Sequence, residues 1–207
     1  MSIRDYRLLY WTIIGVTALF VASPFLSNIL VYPRTEFFTE FWILDADHKT
    51  ENYPYNVSRG ENYAIHLGIA NHLGHCAYYM IQVKFRNQMQ PAPISFGPIE
   101  DRLPSSMPSL FNFTVFVADG QIYEVSITFS FNYTWDKQLS EVKFSGLTLN
   151  NIWLNMSGYL ASWDSERKAF CGFLFFEIWL YNVSVNDFQY HGRFVGLWLN
   201  MTAPRNL

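Results

Sequence analysis

The chain has 207 residues, 19% of them aromatic and 15% charged, with a formal net charge of −3. So many aromatic and so few charged residues exclude an intrinsically disordered chain. The mildly acidic balance, without any Lys/Arg run, excludes a nucleic-acid-binding surface.

Residues 1–7 read as a short cytoplasmic N-terminus. No charge occurs between Arg7 and Arg34, and Leu8 to Tyr32 is rich in Leu, Ile, Val and Phe. A helix needs about 20 apolar residues to cross a bilayer core. The expectation is therefore one transmembrane helix over residues 8–32, kept as a signal anchor. The rival is a cleaved secretory signal peptide, whose apolar region is shorter, about 7–15 residues. Pro24, directly after Ala22-Ser23, is a poor residue at a cleavage point. Arg4 and Arg7 precede the span, while Glu36 and Glu40 soon follow Arg34. The positive-inside rule then puts residues 33–207 outside the cell membrane.

The outer part reads as strands. Tyr123, Val125, Ile127, Phe129, Phe131 and Tyr133 alternate with polar residues, the period of a half-buried strand. Phe111, Phe113, Val115 and Val117 alternate in the same way. Asp119-Gly120 lies between the two runs and predicts a hairpin. Because both inward faces use odd numbers, the register favours a three-residue loop, Ala118-Asp119-Gly120, with Gly120 left-handed. Val115 would then pair with Tyr123 and Phe113 with Val125. Further strands are expected at residues 37–44, 62–71, 78–86, 143–149, 152–157, 172–181 and 188–201. The run 172–181 is apolar on both faces apart from Glu177 and reads as a central strand. Residues 90–109 carry five prolines and read as a long loop, a lid or an edge connection. Many short strands separated by turns predict a mainly β, antiparallel, Ig-like sandwich over residues 33–207.

Six Asn-x-Ser/Thr triplets lie in this outer part, at Asn56, Asn112, Asn132, Asn155, Asn182 and Asn200, none with a central proline. Random placement of 15 Asn against 26 Ser and Thr gives about two such triplets, so six is an excess of N-glycan acceptors. In each strand the acceptor falls on the polar face.

His72, His75 and Cys76 form the one sequence cluster with metal-ligand chemistry, which His66, His48 or His191 would complete through folding. The alternative is a Gly-containing turn. Cys76 and Cys171 are a candidate disulfide, since both lie on the oxidising side; each is equally suited to being a free thiol. Trp153 and Trp198 sit on the polar face two residues before Asn155 and Asn200, where they either pack, cover an attached sugar or form a platform for a foreign glycan. Glu177, inside an apolar strand, is either a functional carboxylate or a structural one that pairs with Arg193, Lys168 or Arg167 or is exposed at an edge. No Gly-x-Ser-x-Gly, phosphate-binding loop, His-Glu-x-x-His or Cys-x-x-Cys occurs, so no catalytic residue and no cofactor are expected.

Phe38-Thr39-Glu40-Phe41-Trp42-Ile43-Leu44, Asn52-Tyr53-Pro54-Tyr55-Asn56-Val57, Gly60-Glu61-Asn62-Tyr63 and Gly68-Ile69-Ala70-Asn71-His72 resemble the outer domain of domain-of-unknown-function family 1616. The runs 175–182 and 190–200 are similar to the end of such domains. The resemblance implies an archaeal membrane protein and brings no catalytic residues. Typical members carry several membrane helices before this domain, where this chain has one span.

The expected role is a single-pass, membrane-anchored, N-glycosylated cell-surface structural or interaction protein. It would be a subunit of an envelope or membrane assembly, not an enzyme, with other membrane proteins as partners. A binding module for glycans or envelope polymer is one alternative. A metal-binding accessory subunit of a membrane enzyme complex is another.

Overall fold

The computed structural model describes residues 3–29, 37–94, 97–98, 101–136 and 138–202. The chain divides into two units, Met1–Phe37 and Phe38–Leu207.

The first unit holds one helix, α1 (Ile3–Ile29). It falls where the span over residues 8–32 was expected, and residues 30–32 lie outside the described part. Among the described residues no helix is long and apolar enough to cross a membrane. The transmembrane expectation is met only as a helix. Leu9, Trp11, Ile13, Val16, Leu19 and Phe20 of α1 are exposed.

The second unit is mainly β. Its strands are β1 (Phe38–Leu44), β2 (Asn56–Val57), β3 (Tyr63–His72), β4 (Ala77–Asn87), β5 (Phe111–Val117), β6 (Ile122–Asp136), β7 (Glu141–Leu149), β8 (Ile152–Asn155), β9 (Leu160–Asp164), β10 (Ala169–Asn182) and β11 (Asp187–Met201). They form one 11-stranded sheet in the order β1-β3-β6-β7-β9-β10-β11-β2, with β4 joining β10 to β5 and β8 added to β7. The antiparallel sandwich is thus corrected in two respects. β9 bonds to both β7 and β10, so the sheet curls without a break into a half-barrel. β2 runs parallel to β11, so the sheet is mixed.

Period-two alternation supplies the inward face of the curl. Phe129, Phe131 and Tyr133 of β6 point inward and meet Phe85 of β4 and Phe144 of β7. Phe85 lies 5.6 Å from Phe131 and 4.9 Å from Phe144 between ring centroids. Each such buried ring contributes about 1.5–3 kcal/mol of transfer free energy. Aromatic pairs at tilted or edge-on angles add more.

The hairpin at Asp119-Gly120 does not form. β5 pairs with β4, and β6 with β3 and β7. The turn itself is as expected, with Gly120 at φ 72°. It carries the chain from one half of the curl to the other, pinned by hydrogen bonds from Gly120 N to Asn71 O at 2.7 Å and from Asn71 N to Gln121 O at 3.1 Å. The shared odd parity of β5 and β6 belongs to strands that both turn the same side chains into one core.

β10 is central, as its sequence predicted. It pairs with β4 and β11, and at its start with β9. Leu174, Phe176 and Ile178 join the core. Phe173, Phe175 and Glu177 lie on the opposite face and are buried as well. The proline-rich segment 88–110 supplies part of that cover. It is a strap bonded down at several points, with residues 95, 96, 99 and 100 outside the described part.

Candidate functional site

Glu177 is fully buried on the outer face of β10. Its partner is none of the three expected cations. Lys84, two places along the neighbouring strand's ladder (Phe175 pairs with Lys84), puts Nζ 2.7 Å from Oε2. Ser105 of the strap donates its backbone N–H to Oε1 at 2.6 Å, and its carbonyl accepts from Lys84 Nζ at 3.0 Å. Both charges and both backbone groups are satisfied within one closed unit, as burial of charge demands. The loop is therefore fastened to the sheet by a buried ion pair.

Beside it runs a groove of about 560 Å³, lined by Thr39, Glu40, Phe41 and Trp42 of β1, Gly192, Arg193 and Phe194 of β11, and Arg102 of the strap. β1 pairs only with β3 among the described residues, so the groove follows its open edge. Arg102 donates to the carbonyls of Gly97 and Gly192 at 3.2 Å each. Gly192, at φ 68°, sits where β11 bulges against β10. Burial lowers the pKa of Arg193, and the neighbouring charge of Arg102 lowers it further. Arg193 has no carboxylate partner within salt-bridge distance among the described residues.

Behind this groove lies a polar relay. His191 Nε2 is 2.8 Å from Thr39 Oγ1, which is 2.8 Å from the Tyr79 hydroxyl, and that hydroxyl donates to Asn71 Oδ1 at 3.3 Å. Burial, then the charge of Arg193, pushes the His191 pKa down to about 4.

The six sequons are not equivalent. Asn155 is exposed, its Oδ1 accepting from Ser157 N at 2.9 Å. Asn112 is exposed on the edge strand β5, bonded through Oδ1 to Ser109. Asn182 donates from Nδ2 to Gln189 at 2.8 Å. Asn132 is half-buried at a register shift of β6. Asn56 and Asn200 meet each other across the parallel β2–β11 pair, with Asn200 Nδ2 donating to Asn56 Oδ1 at 2.8 Å. The two hydroxyls of these sequons, Ser58 and Thr202, are also in contact at 3.2 Å.

His72 ends β3, and His75 and Cys76 lie in the turn before β4, but the three side chains do not assemble a ligand set. His72 Nε2 faces Glu40 at 3.3 Å and its ring tilts against Phe38. His75 Nδ1 bonds to the carbonyl of Leu73 at 3.0 Å. The candidate disulfide does not form, and both cysteines are free. Cys76 precedes one end of β4, whereas Cys171 lies next to Gly172, the partner of Asn87 at the other end. At about 3.3 Å per residue along that strand, the two are far beyond the 4.4–6.8 Å a disulfide spans. Burial raises the pKa of the Cys171 thiol.

Of the two tryptophans, Trp198 is covered. Arg86 and Arg167 stand over its ring at 4.9 and 4.4 Å, and Phe173 packs against it. Trp153 lies on Gly146 and is half exposed.

One cluster escaped the sequence. His48, His66 and Glu124 bring two imidazole nitrogens and a carboxylate oxygen within 4.8 Å of one another. The Gly68–Glu124 pairing of β3 and β6 would have been the signal, had the register been known.

The architecture defines a mainly β unit built on one strongly curled, mixed sheet. The family model described as "Domain of unknown function (DUF1616)" matches residues 33–142, and the chain belongs to that family. The similarity noted at residues 175–200 lies beyond the matched part. No curated protein matches this chain. Among solved structures, a beta-glucosidase from Listeria innocua with isofagomine is 13% identical over 82% of this chain and 17% of its own, with a TM-score of 0.33. A mutant of that enzyme with laminaribiose is 11% identical over 83% and 17%, at 0.36. Beta-D-glucoside glucohydrolase from Trichoderma reesei is 14% identical over 82% and 19%, at 0.28. This chain therefore spans less than a fifth of those enzymes, and likenesses this weak carry no argument about its chemistry.

Proposed function

We propose that this chain is a membrane-anchored, N-glycosylated cell-surface interaction protein, a subunit of an envelope or membrane assembly. On this reading Phe38–Met201 serves as a curled-sheet ectodomain, and its groove takes an extended acidic segment of a partner protein along the open edge of β1. The observation that carries the reading is the pair of guanidiniums, Arg102 and Arg193, at a strand edge that is unpaired among the described residues. An edge strand offers unpaired N–H and C=O groups to an incoming strand. A partly buried arginine that has no carboxylate partner among the described residues gains most from one brought by a partner. The uncharged run Leu8–Pro33 and the exposed apolar side chains of α1 support the anchor.

The test is purification from native membranes in mild detergent, with mass spectrometry of co-eluting proteins, for the natural chain and for Arg193→Glu. A stoichiometric partner lost from the variant supports the reading. A chain that elutes alone in both forms overturns it.

A second reading, a module binding glycans or envelope polymer, is favoured by Trp153, whose outer ring face is open. Retention on envelope polysaccharide that Trp153→Ala abolishes without unfolding the chain would establish that reading instead.

A further inference from the structure

We propose that His48, His66 and Glu124 form a binding site for a divalent first-row transition metal, zinc being the natural occupant. The inference is independent of the function proposed above.

The site is assembled from three separate parts of the chain. His66 on β3 and Glu124 on β6 share the outer face of the sheet. Gly68 pairs with Glu124 and His66 with Ser126, which makes His66 and Glu124 diagonal neighbours. At the end of β1, Leu44 pairs with His66. The chain then reverses in a tight turn and returns His48 over that same position.

The turn is built rather than incidental. Asp45 is buried, and its carboxylate accepts from Asp47 N at 3.0 Å and from Lys49 N at 2.7 Å. Asp45 N donates to Lys49 O at 2.8 Å, and His48 N to Asp45 O at 3.2 Å. His48 is thereby held at φ 58°.

The ligand atoms converge. Nδ1 of His48 stands 2.9 Å from Oε1 of Glu124, and Nδ1 of His66 stands 3.8 Å from the same oxygen. The two rings stack at 3.7 Å with 22° between planes. A structural ion pair uses one imidazole per carboxylate; here two present the same nitrogen to one oxygen. A zinc ion held at about 2.0–2.2 Å from each ligand atom needs those atoms roughly 3–3.5 Å apart. The two distances to Glu124 bracket that range, and all three ligand atoms lie within 4.8 Å of one another. His66 is 16% exposed and Glu124 31%, so both are held by the sheet. His48 is 56% exposed, and a turn of its ring out of the stack completes the geometry. Two imidazoles and one carboxylate suit zinc, nickel or copper and disfavour calcium and magnesium, which take oxygen. Three protein ligands leave an open position for water or for a donor from a partner.

Zinc chloride titrated calorimetrically into the detergent-solubilised full chain tests this, with cobalt(II) absorption reporting the coordination. One equivalent should bind. Glu124→Gln, His66→Ala and His48→Asn should each weaken binding by at least about tenfold. The last substitution keeps the left-handed turn, since asparagine tolerates that conformation, and it guards against loss by unfolding, which circular dichroism would register. His72→Ala should bind as the natural chain does. Failure of the natural chain to bind zinc, or undiminished binding by Glu124→Gln and His48→Asn, overturns the proposal.

Discussion

Lys84 and Glu177 meet 2.7 Å apart with both side chains shut away from water. A buried ion pair is a weak source of net stability, because desolvation offsets the attraction, yet breaking it is costly. Lys84→Met leaves Glu177 and the strap's Ser105 carbonyl facing an apolar side chain. It should lower stability by about 3–5 kcal/mol. The double variant Lys84→Met/Glu177→Leu should lose less than either single change, since no charge is stranded. Urea unfolding of the four proteins gives the coupling directly; additive losses would contradict the closed unit described here.

His191 gives the fold a pH dependence of known sign. Its folded pKa, about 4, lies below the ordinary value of 6.5. As pH falls, the unfolded chain binds this proton first, so the contribution is complete above about 6.5 and is lost progressively towards about 4. At 1.36 kcal/mol per unit the loss is on the order of 3 kcal/mol. Thermal unfolding at pH 7.5, 6.0 and 5.0 should show it. His191→Gln should flatten the profile over that window, while the Thr39–Tyr79 hydrogen bond remains available.

The sequons should divide by the freedom of their amide nitrogens. Asn155 and Asn112 are exposed and should carry glycan. Asn200 uses Nδ2 on Asn56 and Oδ1 on the backbone N–H of Phe170 at 3.2 Å. It should be unoccupied, and Asn200→Ala should cost about 1–3 kcal/mol, the usual penalty for stranding such groups. Glycopeptide mass spectrometry reads the occupancy. Glycan on Asn200 together with glycan on Asn56 would show that the β2–β11 pair opens.

How far these relationships were legible follows from distance along the chain. Inward parity is a local property, and the faces of β5, β6, β10 and β11 could be read from alternation alone. Parity does not say whether two strands pair along a ladder or face each other across a core, so Val115 and Tyr123 looked like ladder partners. A cation was one expected partner for Glu177, but Lys84 lies 93 residues away and the nearer Arg193, Lys168 and Arg167 drew the choice. The same limit hid the Asn56–Asn200 contact, 144 residues apart. It also hid the convergence of His48, His66 and Glu124, because it arises from the register of β3 with β6 and from one turn. His72, His75 and Cys76 were close in sequence, but their side chains turn to separate partners.

Two glycines separate flexible from rigid packing. A Cβ at Gly196 would stand 2.5 Å from Cβ of Phe175 and 2.7 Å from the carbonyl oxygen of Leu174. Both obstacles belong to β10, which is hydrogen-bonded on both sides and cannot retreat. A Cβ at Gly146 would instead collide with the far edge of the Trp153 ring. That ring is half exposed on the short strand β8, so it can swing outward. Gly196→Ala should therefore destabilise by about 1–3 kcal/mol or more, as overpacking against fixed neighbours does. Gly146→Ala should cost less and should change the Trp153 fluorescence instead. Denaturant unfolding ranks the two, and a larger loss at Gly146 would show that the Trp153 ring does not swing outward.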